Sequence, residues 1–455
     1  MEIQRSVEIP RIISVDDHVV EPPDLWTARL GRLADRGPVL TREKGGFLGG
    51  TFKPNESGWV HDPDLPGAVW ADVWRYEDMV VPLMRGLTSC GYESDDPSNP
   101  VTYDNILLGA FDRRARIADM DINHVELSLC FPTVSRFCGQ MFLERRDKDV
   151  ALAALRVYND WMIDEWCKPD PDRRLIPLTL VPLWDPEMAA AEVRRCAEKG
   201  SHSIAFSECP PYLGLPSIYT DHWDPLWRAC EETDSTVNMH IGSSSRLVVT
   251  ADDSPLDVVL CLSYVNALIA LTDWLYSGTL ELYPSLKIAL SESQVGWIPF
   301  AAQRADDAWR KGNEKFHPTP GGPRRATRAP SEAIADRVFG CIFEDVEGLR
   351  NRHSVGMSQI LFETDYPHAD SSWPNSAKVA ADHCIAAGLN DAEAYALLRG
   401  NAIRAFGLDR YFGIKSLEFP EAHRGGQASS PSSRAIRIRC TSEVPSPTSR
   451  IFASR

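Results

Sequence analysis

Short apolar runs rich in Val, Ile and Leu recur along this chain with longer amphipathic stretches between them, an alternation that predicts β/α units built on a parallel sheet. The predicted strands are Ile12–Val15, Val125–Phe131, Leu175–Val181, Ser203–Phe206, Thr236–Ile241, Leu286–Leu290 and Ile360–Glu363. A shorter run at Cys341–Phe343 would complete a set of eight. Helical patterns cover Ala151–Trp166, Glu187–Lys199, Pro225–Thr233, Leu256–Tyr276 and Ser376–Ala387. The second of these carries clear punctuation: Asp185 can cap its N-terminus, Pro186 fits the first turn, and Gly200 supplies the stop.

Two segments break the alternation. Residues 21–102, between the first strand and the next, are rich in Gly, Pro, Asp and Trp and poor in periodicity. We read them as an insertion after strand 1, either an ordered lid over the mouth of the fold, as Trp59, Trp70 and Trp74 suggest, or a rim segment that never meets substrate. Residues 418–455 are rich in Ser, Pro, Gly and Arg, too polar to offset their ordering entropy, which predicts a disordered C-terminal tail. The organisation expected is one metal-dependent unit over 1–417 and a tail over 418–455.

Composition narrows the function classes. With 43% hydrophobic and 25% charged residues the chain can bury its own core. A formal charge of −16 without a Lys/Arg stripe argues against nucleic acid and for a small-molecule substrate. No run reaches the roughly 18 consecutive apolar residues of a membrane span, and MEIQRSVEIPRI lacks the apolar stretch of a signal peptide. No membrane partner and a cytoplasmic location are therefore expected. Eleven cysteines without a C-x-x-C pair suit reduced thiols.

The chemistry is concentrated at strand ends. In SVDDHVVEPPDLW, Asp16 and His18 stand two apart and point to one face of an extended chain, as a hydrogen-bonded pair or as two ligands of one ion. STVNMHIGSSS ends another strand in His240, and ILFETDYPHAD ends the last in Asp365. All lie at the C-terminal ends of predicted parallel strands, where barrel folds gather catalytic groups. Two carboxylates and two imidazoles suit one divalent metal, zinc first and manganese as the alternative. Asp17 should point away from that metal. His368, three residues after Asp365, is either a proton donor beside the site or an ordinary loop histidine. Glu208 ends the fourth strand and could face the same mouth, and His222 reads as packing beside Trp223. His124 and His202 precede their strands and lie at the opposite end.

The motifs VDDHVVEPPDLW, PSIYTDHWDPLW, HIGSSS, YPSLKIALSESQVGWIPF, FETDYPHADSSWP and GNAIRAFGL together resemble those of the amidohydrolase-2 group, the aminocarboxymuconate-semialdehyde decarboxylase-like branch of the amidohydrolase superfamily. The resemblance runs from about Ile12 to Leu408. It implies a TIM (β/α)8 barrel with one catalytic metal held by Asp16, His18, His240 and Asp365, with Asp365 also handling a proton. It implies a homodimer as well, through relatives that often pair. Members include hydrolases and decarboxylases of aromatic or enol acids.

Two departures direct the functional expectation. Asp16-x-His18 stands where many relatives have His-x-His, and Ser291-Glu292-Ser293-Gln294 stands where decarboxylase branches usually place a His. Glu292 either substitutes for that His in handling protons or orienting substrate, or serves only to bond loop amides or an Arg. Without the His, a metal-dependent hydrolase using activated water, with Asp365, His368 and Glu292 as catalytic groups, is expected ahead of a non-oxidative decarboxylase of a small aromatic or unsaturated acid. A catalytically silent binding barrel ranks third.

Overall fold

The strands form where the apolar runs place them. The computed structural model describes residues 6–49, 59–91, 98–168, 173–251, 253–315, 322–416 and 435–439. Its parallel strands are β1 (Ile12–Val19), β2 (Val125–Pro132), β3 (Leu175–Ile176), β4 (Thr179–Leu180), β5 (Ser203–Ala205), β6 (Thr236–His240), β7 (Ile288–Ser291), β8 (Val338–Ile342) and β9 (Ile360–Phe362). One sheet runs β1-β2-β3 and the other β9-β8-β7-β6-β5-β4, every neighbour parallel. The chain is thus mixed α/β with parallel sheets, and β2, β6, β7, β8 and β9 are almost wholly buried, as strands covered on both faces must be.

The run expected as a single strand over 175–181 is split because Pro177 has no N–H to offer a ladder. Its carbonyl accepts instead from Ser201 Oγ at 3.2 Å and Ser203 Oγ at 2.7 Å. The far edges of the two sheets also meet. His18 N donates to Tyr366 O at 2.7 Å and Asp365 N to Asp16 O at 3.0 Å, so the residues after β9 bond directly to β1.

Helices return the chain between strands. Asp185 caps Pro186–Glu198 by accepting from Glu187 N and Met188 N, both at 2.9 Å, as its position before Pro186 predicts. Asp147 caps Lys148–Trp161 in the same way. One helical stretch, Asp257–Tyr276, is long and apolar enough by length and composition to cross a membrane. Its Ala267, Ala270, Leu271, Trp274 and Leu275 are buried in the core, and Trp274 packs on Trp227 at 4.9 Å.

The insertion after β1 is more regular than its sequence. Val39–Gly49, Trp59–Asp62, Val69–Tyr76 and Met79–Pro82 form a four-stranded antiparallel sheet. Alternation is absent because Val69 and Trp70 are exposed whereas Ala71 to Trp74 are all buried, so neither face is uniformly apolar. Trp74 packs edge-on against Trp26 at 5.1 Å and donates to Tyr103 Oη. The end of the insertion reaches the loop after β9: Ala369 N donates to Gly86 O at 3.0 Å and Cys90 N to Pro367 O at 3.1 Å.

The expectation of disorder from residue 418 is corrected at one place. Ile436–Arg439 is a strand antiparallel to Ser6–Ile9, held also by Arg437 to Glu8 at 3.1 Å and to Asp391 at 2.9 Å. Ile436 stands opposite Ile9 and Ile438 opposite Val7, while Arg437 takes the two acids. The rest of 418–455, apart from Ala435, lies outside the described residues.

Candidate metal centre and active site

Strand register brings the predicted groups together. On β1 the period of two sends Asp16 and His18 inward to one side and Asp17 to the other. β6 and β7 pair with His240 level with Ser291, so His240 and the following Glu292 reach the same height. Asp365 follows β9 in a left-handed turn with φ 52°, a conformation that aims its side chain back at β1.

The resulting contacts are short. His18 Nε2 lies 3.6 Å from Asp16 Oδ1 and 3.2 Å from Asp365 Oδ1. His240 Nε2 lies 3.4 Å from Asp16 Oδ2 and 3.6 Å from Glu292 Oε1. His368 Nδ1 is 3.0 Å from Asp365 Oδ1, and its ring stacks on His18 at 3.8 Å. Asp16, His18, His240 and Asp365 are buried, yet both oxygens of each Asp and the Nε2 of each His have no hydrogen-bond partner. Buried polar atoms are ordinarily satisfied, so six converging orphans fit a cation. Asp16, His18 and His240 form one group with mutual ligand distances within 4.8 Å, and His18, Glu292, Asp365 and His368 form another.

Electrostatics agree. Burial lowers all three histidines, His240 to about 3, which keeps the imidazoles neutral and their nitrogen lone pairs available. The Ile241 carbonyl, 2.6 Å from His240 Nδ1, requires the proton there and leaves Nε2 bare. The carboxylates are pushed the other way. Asp16 is raised by burial and then by Glu363 and Glu292, and Glu292 by burial and then by Asp365. Glu363 is raised by burial and by Glu292.

A buried network fixes β1 against the Asp365 turn. Asp17 accepts from Ser14 Oγ at 3.0 Å, Thr364 Oγ1 at 2.7 Å, Tyr366 N at 3.1 Å and Ser128 Oγ. Arg116, 1% exposed, donates to Gly109 O at 2.8 Å and to His18 O, and lies over the Tyr366 ring at 4.4 Å. Aromatic rings wall the centre: Phe137 stacks on His240 at 4.2 Å, and Phe131 meets the same imidazole edge-on at 5.1 Å.

All six predicted site residues, Asp16, His18, His240, Glu292, Asp365 and His368, therefore converge. His222 packs edge-on to Trp223 at 4.8 Å, as expected. His202 bonds Thr233 O and stacks on Tyr411 at the other end of the strands, and His124 faces Ile9 O. Glu363, Phe137 and Arg116 were missed. An acidic residue inside the apolar run ILFETD was the legible signal for Glu363; nothing local marks the other two, which arrive from other elements.

A family model described as "Amidohydrolase" matches residues 107–408. The gamma-resorcylate decarboxylase of Rhizobium sp. (strain MTP-10005) is 28% identical over 340 residues, 67% of this chain and 89% of that protein. Among solved structures, an amidohydrolase from Mycobacterium avium subsp. paratuberculosis K-10 superposes with a TM-score of 0.62 at 22% identity, covering 88% of this chain and 99% of that one. A dihydroxybenzoic acid decarboxylase from Polaromonas sp. JS666, with bound manganese and the inhibitor 2-nitroresorcinol, superposes with a TM-score of 0.51 at 21% identity, covering 66% and 88%. At these identities the structural likeness is one of fold.

Proposed function

Because the chain belongs to the amidohydrolase family, whose model spans residues 107–408, we propose that it is a metal-dependent decarboxylase of a small hydroxylated aromatic acid. The supporting observation is a buried centre of Asp16, His18, His240 and Asp365 in a chain whose curated relatives, matched over most of their length, are decarboxylases. The expectation of a hydrolase is corrected by those relatives. It rested on the missing His after the sixth strand, a place where Glu292 stands 3.6 Å from His240 Nε2.

Asp16, His18, His240 and Asp365 would hold the metal. When bound, a divalent metal supplies positive charge for the carboxylate and hydroxyl oxygens of the acid. Manganese goes ahead of zinc here, since carboxylates contribute much of the donor set and Glu292 adds another oxygen beside it. In the reaction the bond between ring carbon and carboxyl carbon breaks, its electron pair stays on the ring, and a proton takes the vacated position. Asp365 delivers that proton from a carboxyl oxygen, and His368, whose Nδ1 is 3.0 Å away, returns one to it from the solvent side. Glu292 faces His240 Nε2 at 3.6 Å and Phe137 stacks on the same imidazole at 4.2 Å, so both border the centre.

We read the two sheets as one closed (β/α)8 barrel, which the bonds from Asp365 to Asp16 and from His18 to Tyr366 support. The deciding experiment is CO2 release by manganese-loaded protein against a panel of hydroxybenzoates. Release from at least one ortho-hydroxylated benzoate is expected. No release from any member, with metal content near one equivalent, overturns the proposal.

A further inference from the structure

Glu208 is a buried acid with one crowded oxygen and one bare one. It lies three residues beyond β5, at the same strand ends as the metal centre, and is 3% exposed. Oε1 accepts from Gly242 N at 3.0 Å, Ser244 N at 3.4 Å, Ser244 Oγ at 2.7 Å and Asn266 Nδ2 at 2.7 Å. Its own N–H donates to Ser243 Oγ at 2.9 Å. These bonds lock the side chain against the loop that follows His240. Oε2 is buried without any partner, and among the described residues no ion pair reaches it.

Four donors on Oε1 already suffice to hold the loop, so they leave Oε2 unexplained. A bare buried oxygen costs about 1–3 kcal/mol, and folded proteins keep such atoms chiefly where a ligand or water completes them. The loop that Glu208 holds, Gly242 to Ser244, follows His240 directly, which sets the acid beside the candidate metal centre. Burial pushes its own carboxyl up to about 7, so acid and anion are both populated near neutrality. A hydroxyl is the group that suits both forms, because it donates to the anion and accepts from the acid.

We infer that Glu208 is a specificity-determining residue that hydrogen-bonds a ring hydroxyl of the substrate through Oε2. The inference rests on the aromatic-acid reading above. It also gives the pocket two recognition elements: the metal centre for the carboxyl end, and Glu208 for a hydroxyl elsewhere on the ring.

The test compares 2-nitroresorcinol with 2-nitrophenol, which lacks one hydroxyl, binding to manganese-loaded full chain by calorimetry. A site built to bond a hydroxyl should prefer 2-nitroresorcinol by about tenfold or more. Glu208→Gln, whose amide both donates and accepts, keeps that preference to within about threefold. Glu208→Leu reduces the ratio of the two affinities to below about threefold, whatever loosening of the Gly242–Ser244 loop does to both ligands alike. Glu208→Ala replaces it if the leucine variant does not fold. A wild type without preference, a preference that survives the apolar variants, or an equal weakening of both ligands each overturns the assignment. The two readings fail separately: lack of CO2 release with the preference intact removes the decarboxylase and leaves Glu208 in place.

Discussion

Asp365 donates its backbone N–H to the carbonyl of Asp16 across 3.0 Å, so two acids of the metal centre are joined through their main chains as well as facing each other through their side chains. The bond links the edge of one parallel sheet, at β1, to the segment that follows the edge strand β9 of the other. Neither acid can move without disturbing the other's strand.

Asp365→Asn is expected to keep the fold and lose the reaction. Asn tolerates the left-handed φ of 52° and can still bind through oxygen, but it cannot deliver a proton. Decarboxylation should fall by about a hundredfold or more, read as kcat under saturating substrate. A variant within fivefold of wild type would assign the proton to another group.

Metal should stabilise the protein strongly. Several carboxylates crowd a buried centre, and an ion bound only by the folded state adds about 4 kcal/mol at a thousandfold excess over its Kd. Chelation should therefore lower Tm and manganese restore it, while His240→Ala should lose the metal-dependent increment. Equal Tm with and without metal, in protein shown to bind it, would contradict the centre.

Asp17 anchors the turn from outside the groups of candidate metal ligands. It accepts from Thr364 and Tyr366 on either side of Asp365, and Arg116 sits nearby with Tyr366 beneath its guanidinium. Asp17→Ala leaves those donors and a buried cation uncompensated, which should cost about 3–5 kcal/mol. Urea unfolding measures it; a loss below 1 kcal/mol would show the network to be incidental.

Stability should fall between about pH 4.5 and 7 through Glu208. Its carboxyl is raised by burial to about 7 when folded, so over that window the folded chain binds more protons than the unfolded one. The contribution is complete below the unfolded pKa and is lost as pH rises through the folded one. Its size is of the order of 3 kcal/mol, and Glu208→Gln should flatten that part of the profile relative to wild type. Parallel profiles for the two proteins would refute the assignment.

The parts legible in the sequence are those governed by local period. Thr236–Ile241 and Ile360–Glu363 match the strands to within one residue and point to His240 and Asp365, whereas the strand expected over Ile12–Val15 runs on to Val19, so Asp16 and His18 stand within it. Asp17 followed from the period of two alone. The sheet within the insertion was not legible, because Ala71–Trp74 is buried without alternation against partners distant in sequence. Phe137 and Arg116 were hidden for a related reason: each serves the centre across a gap of about a hundred residues, to His240 and His18 respectively. The reaction is not legible: the missing His points to a hydrolase even with Glu292 weighed as its substitute in that place, and the curated relatives turn the reading to decarboxylation.

That place has a conformational history as well. Glu292 adopts φ 54°, a region where His, Asn and Asp are enriched and longer side chains are uncommon. Substituting histidine there would ease the main chain, and keeping glutamate means tolerating strain of about 1 kcal/mol or more. Sequence space at this mouth is thus filtered by the backbone before chemistry is consulted: Asp365 and Glu292 both stand where few residues are comfortable. Libraries that randomise these two sites freely will mostly sample misshapen turns, and productive searches will be those restricted to Asp, Asn, His, Glu and Gly.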